Sequence, residues 1–391
     1  MTRAELEQYV KERIYPNNAQ EITGEVLQDT LLVMVASILN SVAQGDSAIS
    51  ESVAQSIANL AESISNLRGE MPFFIGDGQA SAKQIGLPND FYGGNTATGK
   101  ACTVIGAGNI ARGARSFVGG GASEATADRA VALGIACKAE GIGSHAICQR
   151  TRAVGQGSVA EGIDTETAGY GSHAEGSLCK TNGTYAHAEG ENSIANMRAS
   201  HAEGYKTTAN GDYCHTEGQE TYAIGTASHA EGIRTQAGGT ASHAEGQDTI
   251  ASGNYSHASG RECEATNVNA IAMGYQAKAT KVYAVAIGRN VQANANHSTA
   301  FGKDTVTSGQ QAFVCGLGTK AEHNNEFACG CYNDSGVNTV FSIGNGTSDQ
   351  NRANLVEIKR DGTMFCNGEQ LKVLTQADYD ALLARIEALE G

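Results

Sequence analysis

From Gly106 onward one polarity pattern returns every fourteen residues: a small residue, a variable one, alanine, a variable one, glycine, then a second short alternation that ends in alanine. The glycine falls at 106, 120, 134, 148, 162, 176, 190, 204, 218, 232, 246, 260, 274, 288, 302, 316, 330 and 344; seventeen of these eighteen positions are Gly, and the exception is Cys148. A fixed period without insertions implies one supersecondary unit stacked on itself, with contacts running between neighbouring units. The pattern therefore predicts an elongated, mainly β solenoid of fourteen-residue coils. At about 4.8 Å per stacked strand, eighteen coils make a rod of roughly 85 Å.

We number each coil from its glycine as zero. Position −4 is small (Ser144, Ser172, Ser200, Ser228, Ser242, Ser256) and −2 is nearly always Ala. Position +3 is Thr, Cys, Ser or Ala in most coils, and +5 is Ala from 195 to 293. Strand side chains alternate faces, so −4, −2 and 0 are expected on one face of a first strand and +3 and +5 on one face of a second. Facing small columns make a thin interior. Gly near +7 (Gly169, Gly183, Gly211, Gly225, Gly239, Gly253, Gly309) is expected to supply a second turn at positive φ.

Positions −3 and −1 then point outward. Towards the ends of the array they are apolar: Val131 and Leu133, Ile271 and Met273, Val285 and Ile287. In the middle they become His and Glu. His stands at −3 at 145 and at His173, His187, His201, His215, His229, His243 and His257; Glu stands at −1 at 161 and at Glu175, Glu189, Glu203, Glu217, Glu231 and Glu245. Exposed apolar columns along a rod are an aggregation hazard, so this face is expected to be buried against other chains. The expected interface is thus the His/Glu ladder from 173 to 245 together with Ile271, Met273, Val285 and Ile287.

The chain before the array reads as helical. Residues 1–22 form an expected attachment helix, with Thr2 and Glu5 spaced as a capping box and Pro16 breaking it. Residues 23–70 carry Leu32, Leu39, Val53, Leu60 and Leu67 at seven- or fourteen-residue intervals, an imperfect coiled-coil seam. Residues 71–98 have turn signals but no period and read as a collar. After the array (99–346), residues 347–374 alternate around Asp361-Gly362 and Asn367-Gly368 and read as a β-hairpin. Residues 375–391 place Tyr379, Leu382, Ile386 and Leu389 at three- and four-residue spacing, a short terminal coiled coil.

Composition narrows the function. Gly 49 against Pro 3, with every proline before the array, suits an unbroken ladder of backbone hydrogen bonds. The net charge of −15 (−45 for three chains, 3 × −15) disfavours nucleic acid. No run of eighteen apolar residues offers a membrane span, and the charged N-terminus lacks a signal-peptide core. Ten cysteines invite a disulfide or metal framework, but Cys137, Cys179 and Cys263 share the Thr column and Cys102 and Cys214 the Ser column, so they read as small buried free thiols.

The blocks ending at Gly232 and Gly246 (ASHAEG), together with ACTVIG, RAVALG, NAIAMG and YAVAIG, resemble the head repeats of trimeric autotransporter adhesins, the YadA-like heads. The SHAEG variant resembles repeats in phage tail fibres and related prophage surface proteins. The resemblance covers roughly residues 100–346. It implies a left-handed parallel β-roll, three chains around one axis, and the −3/−1 face turned towards that axis. Without a signal peptide or a C-terminal anchor barrel, the expectation shifts from autotransport to a phage or phage-tail-like particle.

A His/Glu pair recurring in consecutive coils behaves as a structural column, not as a catalytic site in a pocket. Interleaved His and Glu from neighbouring chains are expected, and axial ion sites at His173, His187, His201, His215, His229, His243 and His257 are the minor alternative. No catalytic residue and no cofactor is expected. Acyltransferase solenoids repeat at eighteen residues, and a tailspike glycosidase needs a sugar cleft for which no insertion exists. The expected protein is a homotrimeric fibre component, a phage tail fibre or spike linking virion to host surface. It would join tail or baseplate proteins through its N-terminal helices, and any contact with a host glycan or protein would fall to the tip or to outer side chains such as Tyr205, Arg234, Arg261 and Tyr275. A bacterial surface adhesin of the same build is the alternative, and a carbohydrate-degrading tailspike the third reading.

Overall fold

The computed structural model describes residues 94–371 and 375–390, with two short strands before them, Phe73–Ile75 and Lys83–Ile85. The N-terminal helix, the coiled-coil seam and most of the collar expected from the sequence lie outside the described residues.

Nearly every coil is a five-residue strand, a turn, a two-residue strand and a second turn, as in His229–Ile233 followed by Gln236–Ala237; in the coil of Gly176 the first strand shortens to His173–Ala174. Successive coils pair in parallel at an offset of fourteen: His229 with His243, Ala230 with Ala244, Glu231 with Glu245, Gly232 with Gly246. The long strands form one ladder and the short strands a second, and about eighteen coils stack in this way. The sequence period is thus the physical repeat.

The interior is made of the predicted small columns. Ala230, Ala244 and Ala258 at −2, Ala237, Ala251 and Ala265 at +5, and Thr235, Thr249 and Cys263 at +3 are all 0% exposed. Small side chains, from alanine to threonine, cysteine and valine, fill the space between the ladders, so the roll gains its cohesion from backbone hydrogen bonds and from uniform close packing. The serine column does more than stay small. Ser242 donates its hydroxyl to the carbonyl of Gly239 at 2.7 Å, and Ser228 does the same to Gly225 at 2.7 Å, closing each second turn. All ten cysteines are unpaired, and Cys102, Cys137, Cys179, Cys214 and Cys263 are buried as the columns require.

Two expectations about glycine are corrected. The glycine at position 0 does not continue the inward face. It is partly exposed and sits at positive φ, +109° at Gly232, where a β-carbon would overlap the carbonyl oxygen of Gly246. The strand kinks there because two backbones in successive coils approach more closely than side chains allow. The +7 glycines, conversely, are not at positive φ; a β-carbon on Gly239 would meet the carbonyl of Gly253. The left-handed turn conformation falls instead at +2 and +9, on Arg234 (φ 53°), Ala241 (φ 50°), Tyr213 (φ 58°) and Tyr255 (φ 59°). Residues with bulky side chains seldom adopt it, so repeated stacking imposes it.

The final parallel strand, Thr339–Asn345, pairs with Phe327–Cys331 on one side and antiparallel with Asn354–Lys359 on the other. Met364–Cys366 and Glu369–Leu371 extend the antiparallel sheet, with Asp361-Gly362 and Asn367-Gly368 in its turns. The ladder therefore passes from parallel coils into a meander. Glu326 takes the serine position in the last full coil and is buried; its carboxylate accepts from the Glu322 and His323 amides at 2.8 and 2.9 Å and from the Ser335 hydroxyl at 3.0 Å. The C-terminal helix, Gln376–Glu390, is capped by Thr375 and Asp378, whose side chains each bond the other's backbone amide. Tyr379, Leu382, Ile386 and Leu389 on this helix are exposed. Among the described residues no helix is long and apolar enough to cross a membrane.

Candidate functional site

The outward face of the long-strand ladder carries every residue singled out for an interface. Parallel in-register pairing stacks equal positions directly, so His173, His187, His201, His215, His229, His243 and His257 form one file and Glu175, Glu189, Glu203, Glu217, Glu231 and Glu245 another. From His173 to His243 the imidazoles stack face to face, with centroids 4.7–5.0 Å apart and planes within 10° of parallel. His257 turns edge-on to His243 at 79°. His145 stands outside the file because its coil neighbours carry Val131 and Val159.

The rings lie flat against one another, and one nitrogen of each, Nε2, is hidden. Where a distance is set by the pair, the side chains of the histidines are 34–38% exposed, yet the Nε2 atoms of all seven are buried and lack a hydrogen-bond partner. The nearest glutamate Oε2 in the same coil stands 3.7–3.9 Å away for five of them, beyond hydrogen-bond reach. Burial pushes His187, His201, His229 and His257 below their ordinary value of 6.5, and the neighbouring imidazoles push the same way. Burial also raises Glu189, with Glu175 and Glu203 adding repulsion. Glu245, which accepts a hydrogen bond from Ser259, is lowered. Beside the glutamate file the glycine column leaves an open trough of about 530 Å³, lined by Glu161, Glu175, Glu189, Glu203 and the glycines that follow them.

Four groups on this face bring three ligand atoms within 4.8 Å of one another: His201, Glu203 and His215; His229, Glu231 and His243; Glu161, His173 and Glu175; Glu175, His187 and Glu189. Among the described residues, these are the groups with the ligand set and spacing that could hold a cation. Beyond the ladder the same two columns turn apolar. Ile271 pairs with Val285 and Met273 with Ile287, all partly exposed.

The sequence reading missed how far the apolar stretch continues. Phe313, Phe327 and Phe341 occupy −3 in the last coils and stack at 5.0 and 5.6 Å, with Phe301 tilted beside them. Cys315 and Cys329 occupy −1 in two of these coils, and burial together with Cys315 raises the Cys329 thiol. The period alone places all of them in the same two columns. On the outer surface, Arg234 makes a two-pronged contact with Asp248 one coil on, at 2.6 and 2.8 Å. Arg261 lies over the Tyr275 ring at 5.5 Å, and Lys206 over Tyr205 at 4.9 Å.

No curated protein matches the chain. A protein-family signature does: the YadA head domain repeat is found twice, over residues 244–261 and 265–290. Those residues run from the end of the SHAEG ladder into the apolar coils, and the fourteen-residue spacing holds across both. The chain thus carries YadA head domain repeats, and the array of about eighteen coils to which they belong is a YadA-head-like β-roll.

Proposed function

We propose that the chain is the subunit of a homotrimeric fibre, a tail fibre or spike of a bacteriophage that joins the virion to the host surface. The observation that carries this reading is the −3/−1 face. Phenylalanine, isoleucine and valine columns lie partly exposed on the face of the roll that alternation turns away from its interior of small side chains. Other copies of the chain would cover them, and three around one axis would bury the face of each. The exposed stripe of Tyr379, Leu382, Ile386 and Leu389 on the C-terminal helix calls for the same partners. N-terminal helices would anchor the fibre to the tail or baseplate, and the terminal helices would hold the three chains in register. The role is mechanical, so polysaccharide incubated with the protein should be recovered at its starting length.

Light-scattering mass on a size-exclusion column is the test. A mass near 121 kDa (3 × 40.4 kDa) with early elution supports the trimer; a 40.4 kDa monomer overturns it. Gold-labelled antibody against the protein should decorate tails of particles released from the producing bacterium. A bacterial surface adhesin is the second reading, favoured by the head repeats at 244–290. Label on intact cells and none on particles would select it.

A further inference from the structure

We propose that the histidine/glutamate ladder holds divalent transition-metal ions, two per chain, one between His201, Glu203 and His215 and one between His229, Glu231 and His243. The three ligand atoms of each group already lie within 4.8 Å of one another. The His201–Glu203 and His229–Glu231 pairs stand at 3.9 and 3.7 Å. A tetrahedral ion bound at about 2.0–2.2 Å from nitrogen and oxygen holds its ligands about 3.3–3.6 Å apart, so each of these pairs has to close by a few tenths of an ångström around one. Each histidine pair needs one ring to tilt out of the stack, a motion whose end state is seen where His257 stands edge-on to His243.

Two further observations point to an ion. The Nε2 atoms of His201, His215, His229 and His243 are buried without a hydrogen-bond partner, an unfavourable state that a metal–nitrogen bond relieves. The glutamate file, one carboxylate per coil, has no Lys or Arg partner among the described residues, in a chain of net charge −15. A dication in each group neutralises carboxylates that otherwise repel their neighbours above and below. Two imidazoles and a carboxylate select zinc, nickel or cobalt over magnesium or calcium, which prefer oxygen. The two groups are two coils apart, about 10 Å at the strand spacing, so both fill at once. Each group comes from a single chain and leaves outward coordination positions open to water or to a neighbouring chain. The inference therefore does not rest on the fibre reading.

The experiment uses tag-free full-length protein stripped with chelator and titrated with Co²⁺ and Zn²⁺, by visible absorbance and calorimetry, with light-scattering mass measured before and after. Saturation at two ions per chain is expected, with cobalt d–d bands and no thiolate charge-transfer band. The isosteric pair Glu203→Gln and Glu231→Gln should weaken binding at least about 10-fold, whereas His297→Ala, outside the ladder, should leave it unchanged. No saturable binding by the unaltered protein, a thiolate band, or full binding by the double glutamine variant would each overturn the proposal. The unaltered protein's cobalt spectrum decides the matter even if a variant fails to fold. A monomeric mass would count against the fibre reading and leave the ion count standing.

Discussion

The imidazoles of His201 and His215 lie face to face, with centroids 4.7 Å apart and planes 1° from parallel. As neutral rings they stack; as cations at that distance they would repel by about 3–4 kcal/mol at an effective dielectric near 20, and by less where water screens a half-exposed face. Charging the file therefore opposes the fold.

In chelator-treated protein this gives stability a definite slope with pH. The folded chain holds His187, His201, His229 and His257 below 6.5, so it binds fewer protons than the unfolded chain. Stability present above pH 6.5 is lost as pH falls below that value. The thermal midpoint should be level from pH 8 to 7 and drop between 6.5 and 5, before most carboxylates titrate. Replacing the four histidines with asparagine should flatten that interval. A midpoint level from 8 to 5 in the unaltered protein would contradict the account.

Glycine substitutions should separate close backbone approach from turn conformation. Gly232→Ala places a β-carbon against the Gly246 carbonyl at φ +109° and should cost about 3 kcal/mol or more. Gly143→Ala, at φ +66° with open space around it, should cost only about 1 kcal/mol. The reverse change, Cys148→Gly, removes a side chain from φ 91° and should stabilise by about 1–2 kcal/mol. Calorimetric melting of the three variants checks the order.

The threonine column holds hydroxyls with nothing to bond. Thr221, Thr235 and Thr249 are 0% exposed, and their Oγ1 atoms have no partner. Valine has nearly the same shape, and Val291 already fills this column fully buried. Each Thr→Val change should stabilise by about 1 kcal/mol. A loss of stability in the triple variant would mean that the hydroxyls are bonded in solution.

At the end of the array, Glu326→Ala should be costly for the opposite reason. It removes a buried carboxylate that accepts from the Glu322 and His323 amides and from the Ser335 hydroxyl. A loss of about 2–3 kcal/mol is expected, with amide exchange accelerating first in residues 319–345. Uniform acceleration along the whole roll would argue against a local cap.

Much of the roll was legible because one period sets strand, face and neighbour together. Ala230 inward and Glu231 outward follow from alternation, and the contact of His201 with His215 follows from their separation of fourteen. What escaped was whatever the same letter does for two reasons. Gly232 and Gly239 look alike in sequence, yet the first combines positive φ with close approach and the second has close approach alone. The turn conformation at Arg234 and Tyr255 leaves no mark because neither residue type favours it. The serine column read as small, and the hydroxyl of Ser242 proved to be a turn lock. Of the outward His/Glu face, the columns were readable and the parallel ring planes and stranded Nε2 atoms were not, since rotamers depend on packing.

Because every coil begins and ends at the same point of the backbone path, fourteen codons are an interchangeable genetic unit. Unequal recombination between two SHAEG blocks would add or delete whole turns and leave the flanking reading frame and stacking surfaces intact. Such a chain can change its reach in steps of about 4.8 Å without inventing a new contact. Length is here a property that can be inherited in variant form, one whole coil at a time.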